Sequence, residues 1–476
     1  MTATAQSTNV RSCQWILGWI WWAFLCTLYM AVFLLLFSLS SCIRGPKYLP
    51  SSEDEGIPRT EVQEKTLTIT TPLPTSKNAQ ITSLAASFQS PNSMSKKRLR
   101  VEYFQVEPRW KFEDEYRLEE GSLQTNCPDS VKVKAVQSSW LRELFLPNLT
   151  LFLDWEHFNL SEWDRLEHFK PPFGFMGLNY SIIQEILEKF PPVSQQQILL
   201  AAHPQPGGSH CVSCAVVGNG GILKRSRMGQ EIDSHDYVFR VNGALINGYE
   251  QDVGTRTSFY GFTFYSLATS LKLLRNQGFH QMPMEKDIHY LHFLEGHKDF
   301  EWLKHMLRDQ IMEKAVMERP LRVNAHTENL LSDQSLFPAP SGLMLITDST
   351  PRMLFLLIKP FSLDRYLLIH PDLLRYVKNR FLRSDILDTI NWTLYRPSNG
   401  AFLLFTAIQL CDQVSAYGFI INDFHQFADH YYDPEWKKMF LYLNHDFILE
   451  MRLWKQLHNE GIIQLYQGPK AITQQN

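Results

Sequence analysis

From Trp15 to Leu39 the chain runs for 25 residues without a charged side chain. A helix needs about 20 apolar residues to cross the ~30 Å hydrocarbon core of a bilayer, so this run is long enough to span one. The apolar part of a cleaved signal peptide is shorter, about 7–15 residues. The segment is therefore expected to be an uncleaved signal anchor, with residues 1–14 as a cytoplasmic tail. No later stretch of comparable length is free of charge. One span is expected, and everything beyond it must fold on one side of a membrane.

Sequons and cysteines indicate which side. Asn148, Asn159, Asn179 and Asn391 each begin an Asn-x-Ser/Thr acceptor pattern for N-glycosylation, and all four follow the span. Cys13, Cys26 and Cys42 lie in or beside the span, while Cys127, Cys211, Cys214 and Cys411 lie beyond it. Four luminal cysteines can form two disulfides, with three possible pairings. Cys211-x-x-Cys214 has no second pair at zinc spacing, so no metal site is expected.

Residues 40–126 are expected to form a flexible stem. Within it, Thr66–Ser95 is rich in Ser, Thr, Pro, Asn and Gln and has too little apolar surface to offset its ordering entropy. Residues 127–476 then form one catalytic-sized domain. The whole chain carries 46 basic and 49 acidic residues, so it lacks the basic excess of a nucleic-acid binder. Short apolar runs at Ala215–Val217, Tyr237–Val241, Val414–Ile421 and Ile462–Tyr466 read as strands. Ala401–Leu410 and Asp446–Glu460 read as helices, the latter with Phe447, Met451, Trp454 and His458 on one stripe and Gly461 at its end. Strands alternating with helices predict an α/β, Rossmann-like domain with a mostly parallel sheet.

Three clusters carry chemistry. The first is the glycine turn Gly218-Asn219-Gly220-Gly221 after an apolar strand, where a ligand can approach the backbone. The dinucleotide fingerprint would need glycine at 223, which is Leu223, so a nicotinamide cofactor is not expected. The second is Arg396-Pro-Ser398-Asn399-Gly400 at the head of an apolar helix, where Ser398 or Asn399 can cap and free N–H groups attract phosphate. The third is His430-Tyr-Tyr-Asp433 followed by Asn444-His445 and Glu450. Histidine can serve there as base or phosphate partner. His445 and Glu450 stand five apart, which is not a zinc-protease spacing, and no Asp-x-Asp metal anchor occurs.

Together these clusters carry a family resemblance. Cys214–Thr263 resembles the large sialyl motif of animal-type sialyltransferases, and Pro397–Ile420 resembles the small one. His430–Asp433 is similar to motif three, and His445–Glu450 to the very small motif. Pro171–Tyr180 and Gly229–Asp236 are similar to the α-N-acetylgalactosaminide α-2,6-sialyltransferases. The likeness covers roughly residues 140–470, with all four motifs in family order.

The resemblance implies transfer of sialic acid from CMP-sialic acid, with inversion and without a metal or cofactor. The acceptor would be the 6-hydroxyl of GalNAc O-linked to Ser or Thr of a glycoprotein. It implies His445 as general base and His430 at the donor phosphate. Asn219 and Asn242 would hold nucleotide and donor, and Ser398, Asn399 and Gly400 would surround CMP. On the same resemblance Cys214 pairs with Cys411 and Cys127 with Cys211. A single-pass type II protein of the Golgi membrane is implied, with its catalytic domain in the lumen. A membrane-anchored glycan-binding protein of the same fold, without catalysis, is the alternative. Residues 319–361 depart from the family pattern, with Leu343–Pro351 interrupting where a short acceptor-side loop is expected.

Overall fold

Among the described residues, short runs of two to five residues form seven strands: β1 Ser213–Val217, β2 Tyr237–Val241, β3 Phe259–Phe262, β4 His289–His292, β5 Tyr366–Leu368, β6 Gln413–Tyr417 and β7 Gln464–Leu465. The computed structural model describes residues 98–121, 125–202, 210–317 and 362–468. The Trp15–Leu39 run, most of the expected stem and the atypical segment 319–361 lie outside the described residues. Among the described residues no helix is long and apolar enough to cross a membrane.

The strands form one sheet in the order β5-β4-β3-β2-β1-β6-β7. Every neighbouring pair is parallel, with Cys214 opposite Tyr237 on one side of β1 and opposite Val414 on the other. All but the first residue of β1, β2 and β6 are buried, as helices on both faces of a parallel sheet require. The strand order reverses between β1 and β6.

Four helices position the site or brace the sheet: α1 Phe264–Leu273, α2 Pro371–Tyr376, α3 Asn399–Leu410 and α4 Phe447–Asn459. Every residue of α3 from Ala401 to Leu410 is buried, and the helix packs on β1, β2, β3 and β6. Among the described residues two disulfides form, Cys127–Cys211 and Cys214–Cys411, the second tying β1 to the end of α3.

Three expectations need correction. The strand expected over Val414–Ile421 stops at Tyr417, because Gly418 turns the chain at φ +71°. The strand expected over Ile462–Tyr466 is only Gln464–Leu465. The buried face of α4 is Glu450, Leu453, Trp454 and Leu457, not the stripe through Phe447, Met451 and His458. Glu450 turns inward toward Ser398, and that rotates the buried face. Gly461, at φ +70°, does end the helix, its N–H donating to the His458 carbonyl at 2.9 Å.

The sequons differ in their surroundings. Asn159 and Asn179 are exposed helix caps whose Oδ1 atoms accept from Glu162 N and Ser181 N at 3.0 Å each. The cap uses the oxygen and not the nitrogen to which a glycan attaches. Asn148 instead donates from Nδ2 to the Glu119 carbonyl at 3.0 Å, and Thr150 is fully buried. Asn391 is half-buried.

Residues 98–121, expected as flexible stem, pack against the domain. Trp392 Nε1 donates to the Phe104 carbonyl at 3.2 Å, and Trp110 Nε1 to the His168 carbonyl at 3.2 Å. The fully buried Arg375 of α2 donates to the carbonyls of Glu113 and Glu115. It also pairs with the buried Asp372, which Arg165 contacts at 2.7 Å and to which Arg117 N donates at 2.7 Å. A chain beginning at residue 125 should therefore be less stable than one beginning at 98. Each acceptor taken from the buried guanidinium should cost about 1–3 kcal/mol. Equal denaturant midpoints for the two chains would show that the segment only adheres.

Candidate active site

At the carboxyl ends of β1, β2 and β6, where the strand order reverses, a cleft of about 600 Å³ opens. Open α/β sheets take their ligands at such a switch point. Its floor is backbone. Gly218 N donates to the Tyr417 carbonyl at 2.8 Å and Gly220 N to the Gly418 carbonyl at 3.0 Å. A Cβ on Gly218 would stand 2.7 Å from the Gly418 oxygen, so the two turns can meet only without side chains.

A polar chain crosses this floor. Asn219 Nδ2 donates to the Asn242 carbonyl at 2.7 Å, and Asn399 Nδ2 to Asn242 Oδ1 at 2.9 Å. Arg396 Nη1 donates to Asn399 Oδ1 at 2.9 Å and lies 2.6 Å from Glu295 Oε1. Asn219 Oδ1 is buried and has no partner among the described residues. It is an acceptor left for a ligand's N–H or O–H.

Ser398 heads α3, its Oγ accepting from Ala401 N at 3.1 Å. Its N–H donates to Glu450 Oε1 and its hydroxyl to Glu450 Oε2, both at 2.7 Å. Burial pushes the Glu450 carboxyl up to about 7 against the pull of these two bonds. Two residues before Ser398, the Arg396 carbonyl accepts from His445 Nδ1 at 2.8 Å, and Arg396 N donates to the Asn444 carbonyl at 3.0 Å. A carbonyl only accepts, so Nδ1 carries the proton and Nε2 the lone pair. Asn444 Nδ2 donates to that Nε2 at 3.2 Å. Burial, then the nearby Arg396 guanidinium, hold His445 down to about 4, so the ring is neutral above that pH. Neutral imidazole with a bare Nε2 is the form of a general base.

His430 lines the same cleft, its ring stacked on Tyr432 at 4.9 Å and 7°. Asp433 Oδ2 and Asp429 Oδ2 lie 3.5 and 3.7 Å from its Nδ1. These three side chains offer ligand atoms within 4.8 Å of one another and could hold a metal ion. Both carboxylates already have partners: His430 N donates to Asp433 Oδ2 at 2.9 Å, and Lys437 Nζ lies 3.4 Å from Asp429 Oδ2. In a second such trio, Glu162, His370 and Asp372, the two carboxylates are held by Arg165 and Arg375.

The cleft thus gathers Asn219, Asn242, Ser398, Asn399, Gly400, His430 and His445, all singled out in the sequence. A cleft at the switch point of a parallel sheet, with a neutral histidine at one wall, places the chain among the α/β proteins that take a ligand there. The chain belongs to glycosyltransferase family 29, the sialyltransferases, whose family model matches residues 152–462. It is 55% identical over 418 residues to human alpha-N-acetylgalactosaminide alpha-2,6-sialyltransferase 1, covering 88% of this chain and 65% of that one. The mouse protein of that name is 53% identical over 404 residues, covering 84% and 70%. Human alpha-N-acetylgalactosaminide alpha-2,6-sialyltransferase 2 is 39% identical over 326 residues, covering 68% and 78%. The chain therefore spans just under two thirds of the length of the first of these relatives. The alternative of a silent glycan-binding protein has no support.

Sequence reasoning named Arg396 and Asn444 without giving either a role, and passed over the inward-facing Glu295. It used Glu450 only as a motif position. The signal for Arg396 was its place two residues before the helix cap.

The two buried groups give opposite pH dependences. The Glu450 pKa is raised on folding, so the folded state holds the extra proton between about 4.5 and 7 and stability falls as pH rises through that window. The full shift corresponds to about 3 kcal/mol. The His445 pKa is lowered, so its contribution is present above about 6.5 and lost as pH falls toward 4. In the intact protein the two should largely offset. Glu450→Gln should leave a stability that climbs from pH 4 to 6.5, and His445→Gln one that declines from 4.5 to 7. Denaturant midpoints across pH decide this, and identical profiles for both variants would refute the opposition.

Proposed function

We propose that the chain transfers sialic acid from CMP-sialic acid to the 6-hydroxyl of GalNAc O-linked to Ser or Thr, inverting the donor configuration. The observation that carries this reading is His445, a neutral ring pinned through Nδ1 and bearing its lone pair at the cleft that also holds His430. His445 Nε2 takes the proton of the acceptor hydroxyl as that oxygen bonds to C2 of the sialyl group. The C2–O bond to phosphate breaks, and its electron pair leaves with CMP. Asn444 must yield its 3.2 Å hydrogen bond to Nε2 for the acceptor hydroxyl to enter. His430 and the head of α3 at Asn399 and Gly400 supply donors to the departing phosphate. Asn219 and Asn242 line the nucleotide side. The cytoplasmic tail 1–14, the anchor 15–39 and a luminal catalytic domain in the Golgi complete the reading.

The test is to incubate the detergent-solubilised full chain with CMP-sialic acid, GalNAc glycopeptide and Gal-β-1,3-GalNAc glycopeptide, then map the linkage by NMR. Transfer to O6 of GalNAc is expected; transfer to galactose only, or none, overturns the reading.

His445→Ala should lower turnover by roughly 10²–10⁴-fold, the usual contribution of a general base, with CMP affinity nearly unchanged. Turnover above a tenth of the wild-type value would exclude the base role. Activity should also survive EDTA, since a single leaving phosphate can be neutralised by His430 and the α3 head. Loss in EDTA with recovery on adding manganese would instead put an ion among Asp429, His430 and Asp433.

A further inference from the structure

Between motif three and α4 the chain crosses the surface without helix or strand, and its apolar side chains face water. Trp436 is 62% exposed, Phe440 60%, Leu441 45%, Tyr442 52% and Leu443 62%. Exposed apolar residues scattered singly are ordinary, but five within eight positions form a patch that marks an interaction site. The patch is continuous with the cleft, because Phe440 and Tyr442 also line it. Their rings stand 4.8 Å apart, inclined at 66°. Leu443 precedes His445 by two residues, at most about 7 Å of backbone.

We propose that this rim, Trp436–Leu443, seats the polypeptide that carries the acceptor sugar, and that it takes an extended, uncharged, proline-bearing Ser/Thr segment. The inference rests on the acceptor reading above. In an O-linked GalNAc only one sugar ring separates the reacting hydroxyl from the peptide. With that hydroxyl at His445 Nε2, the peptide must pass beside His445, and the rim is the exposed surface that leads up to it. O-glycosylated segments are rich in Ser, Thr and Pro and have few charges to pair. Such chains favour the polyproline II conformation, which binds inclined aromatic rings with little ordering cost. Of the two lysines within the rim, Lys437 faces Asp429 at 3.4 Å and Lys438 is exposed, while the five apolar side chains make up most of the surface.

The test uses the full chain and two variants outside the cleft lining, Trp436→Ser and Leu443→Ser. Both side chains are exposed, and unchanged melting curves confirm folding. Four acceptors are compared: methyl-α-GalNAc, a GalNAc-bearing Ser/Thr/Pro peptide, the same peptide with its prolines replaced by glycine, and its Gal-β-1,3-GalNAc form. Wild type should favour the proline peptide over the glycine one. The variants should raise KM for the proline peptide on the order of tenfold, as truncation of a contributing interface side chain does. They should erase its advantage while leaving methyl-α-GalNAc transfer unchanged. Equal losses on methyl-α-GalNAc would assign the rim to the sugar or donor site and overturn the proposal. A loss confined to the Gal-β-1,3-GalNAc form would put a second sugar on the rim, and an unchanged KM for the peptide would leave it without this role. If wild type acts on no GalNAc acceptor, the acceptor reading fails first and the rim proposal with it.

Discussion

A carboxyl group shut away from water holds the two halves of the site in register. Glu450, on the first turn of α4, accepts from both the N–H and the hydroxyl of Ser398 at the head of α3. Between these helices Arg396 N donates to the Asn444 carbonyl, and His445 Nδ1–H donates to the Arg396 carbonyl. One buried acid thus fixes the position of the base, the orientation of its ring and the cap of the helix that faces the donor. An apolar residue at 450 would leave two Ser398 donors unpaired in a dry interior, a loss larger than the modest net value of a hydrogen bond.

The same contact sets a charge condition. The head of α3 is the positive end of a 12-residue helix whose dipole favours an anion. An ionised Glu450 competes for that end with a donor phosphate, whereas a protonated one does not. His445 must meanwhile be neutral to accept a proton. With Glu450 at about 7 and His445 at about 4, both conditions hold in the mildly acidic range between them. Neither residue would set such a window alone.

What could be read from the sequence divides along physical lines. β1 and β2 are short, nearly continuous apolar runs, and α3 is apolar almost throughout, so local composition was enough. Ser398 and the glycine turn follow from chain-local geometry. Glu450 was legible as a position but not as a buried group, because a carboxylate on an amphipathic helix normally faces water and only its pairing with Ser398, 52 residues away, reverses that. The packing of 98–121 was hidden for a similar reason. Its charged composition looks like tether, yet its anchors are backbone carbonyls accepting from Arg375, which no side-chain pattern reveals. The end of β6 at Tyr417 depends on Gly418 meeting Gly218, a contact between segments 200 residues apart.

The surroundings of His430 carry this logic to the donor side. Its ring lies flat on Tyr432, so rotation is restricted, and the nearest carboxylate oxygens stand at 3.5 and 3.7 Å, too far to take its N–H in a good hydrogen bond. Those carboxylates orient the ring electrostatically and leave a donor for the ligand. Two aspartates beside a phosphate site would otherwise repel the donor. Lys437 answers Asp429, and the His430 backbone N–H answers Asp433 at 2.9 Å. The two histidines of the cleft therefore stand in opposite surroundings. Burial and Arg396 hold His445 neutral, while His430 stands beside two carboxylates that are met by Lys437 and by its own backbone N–H.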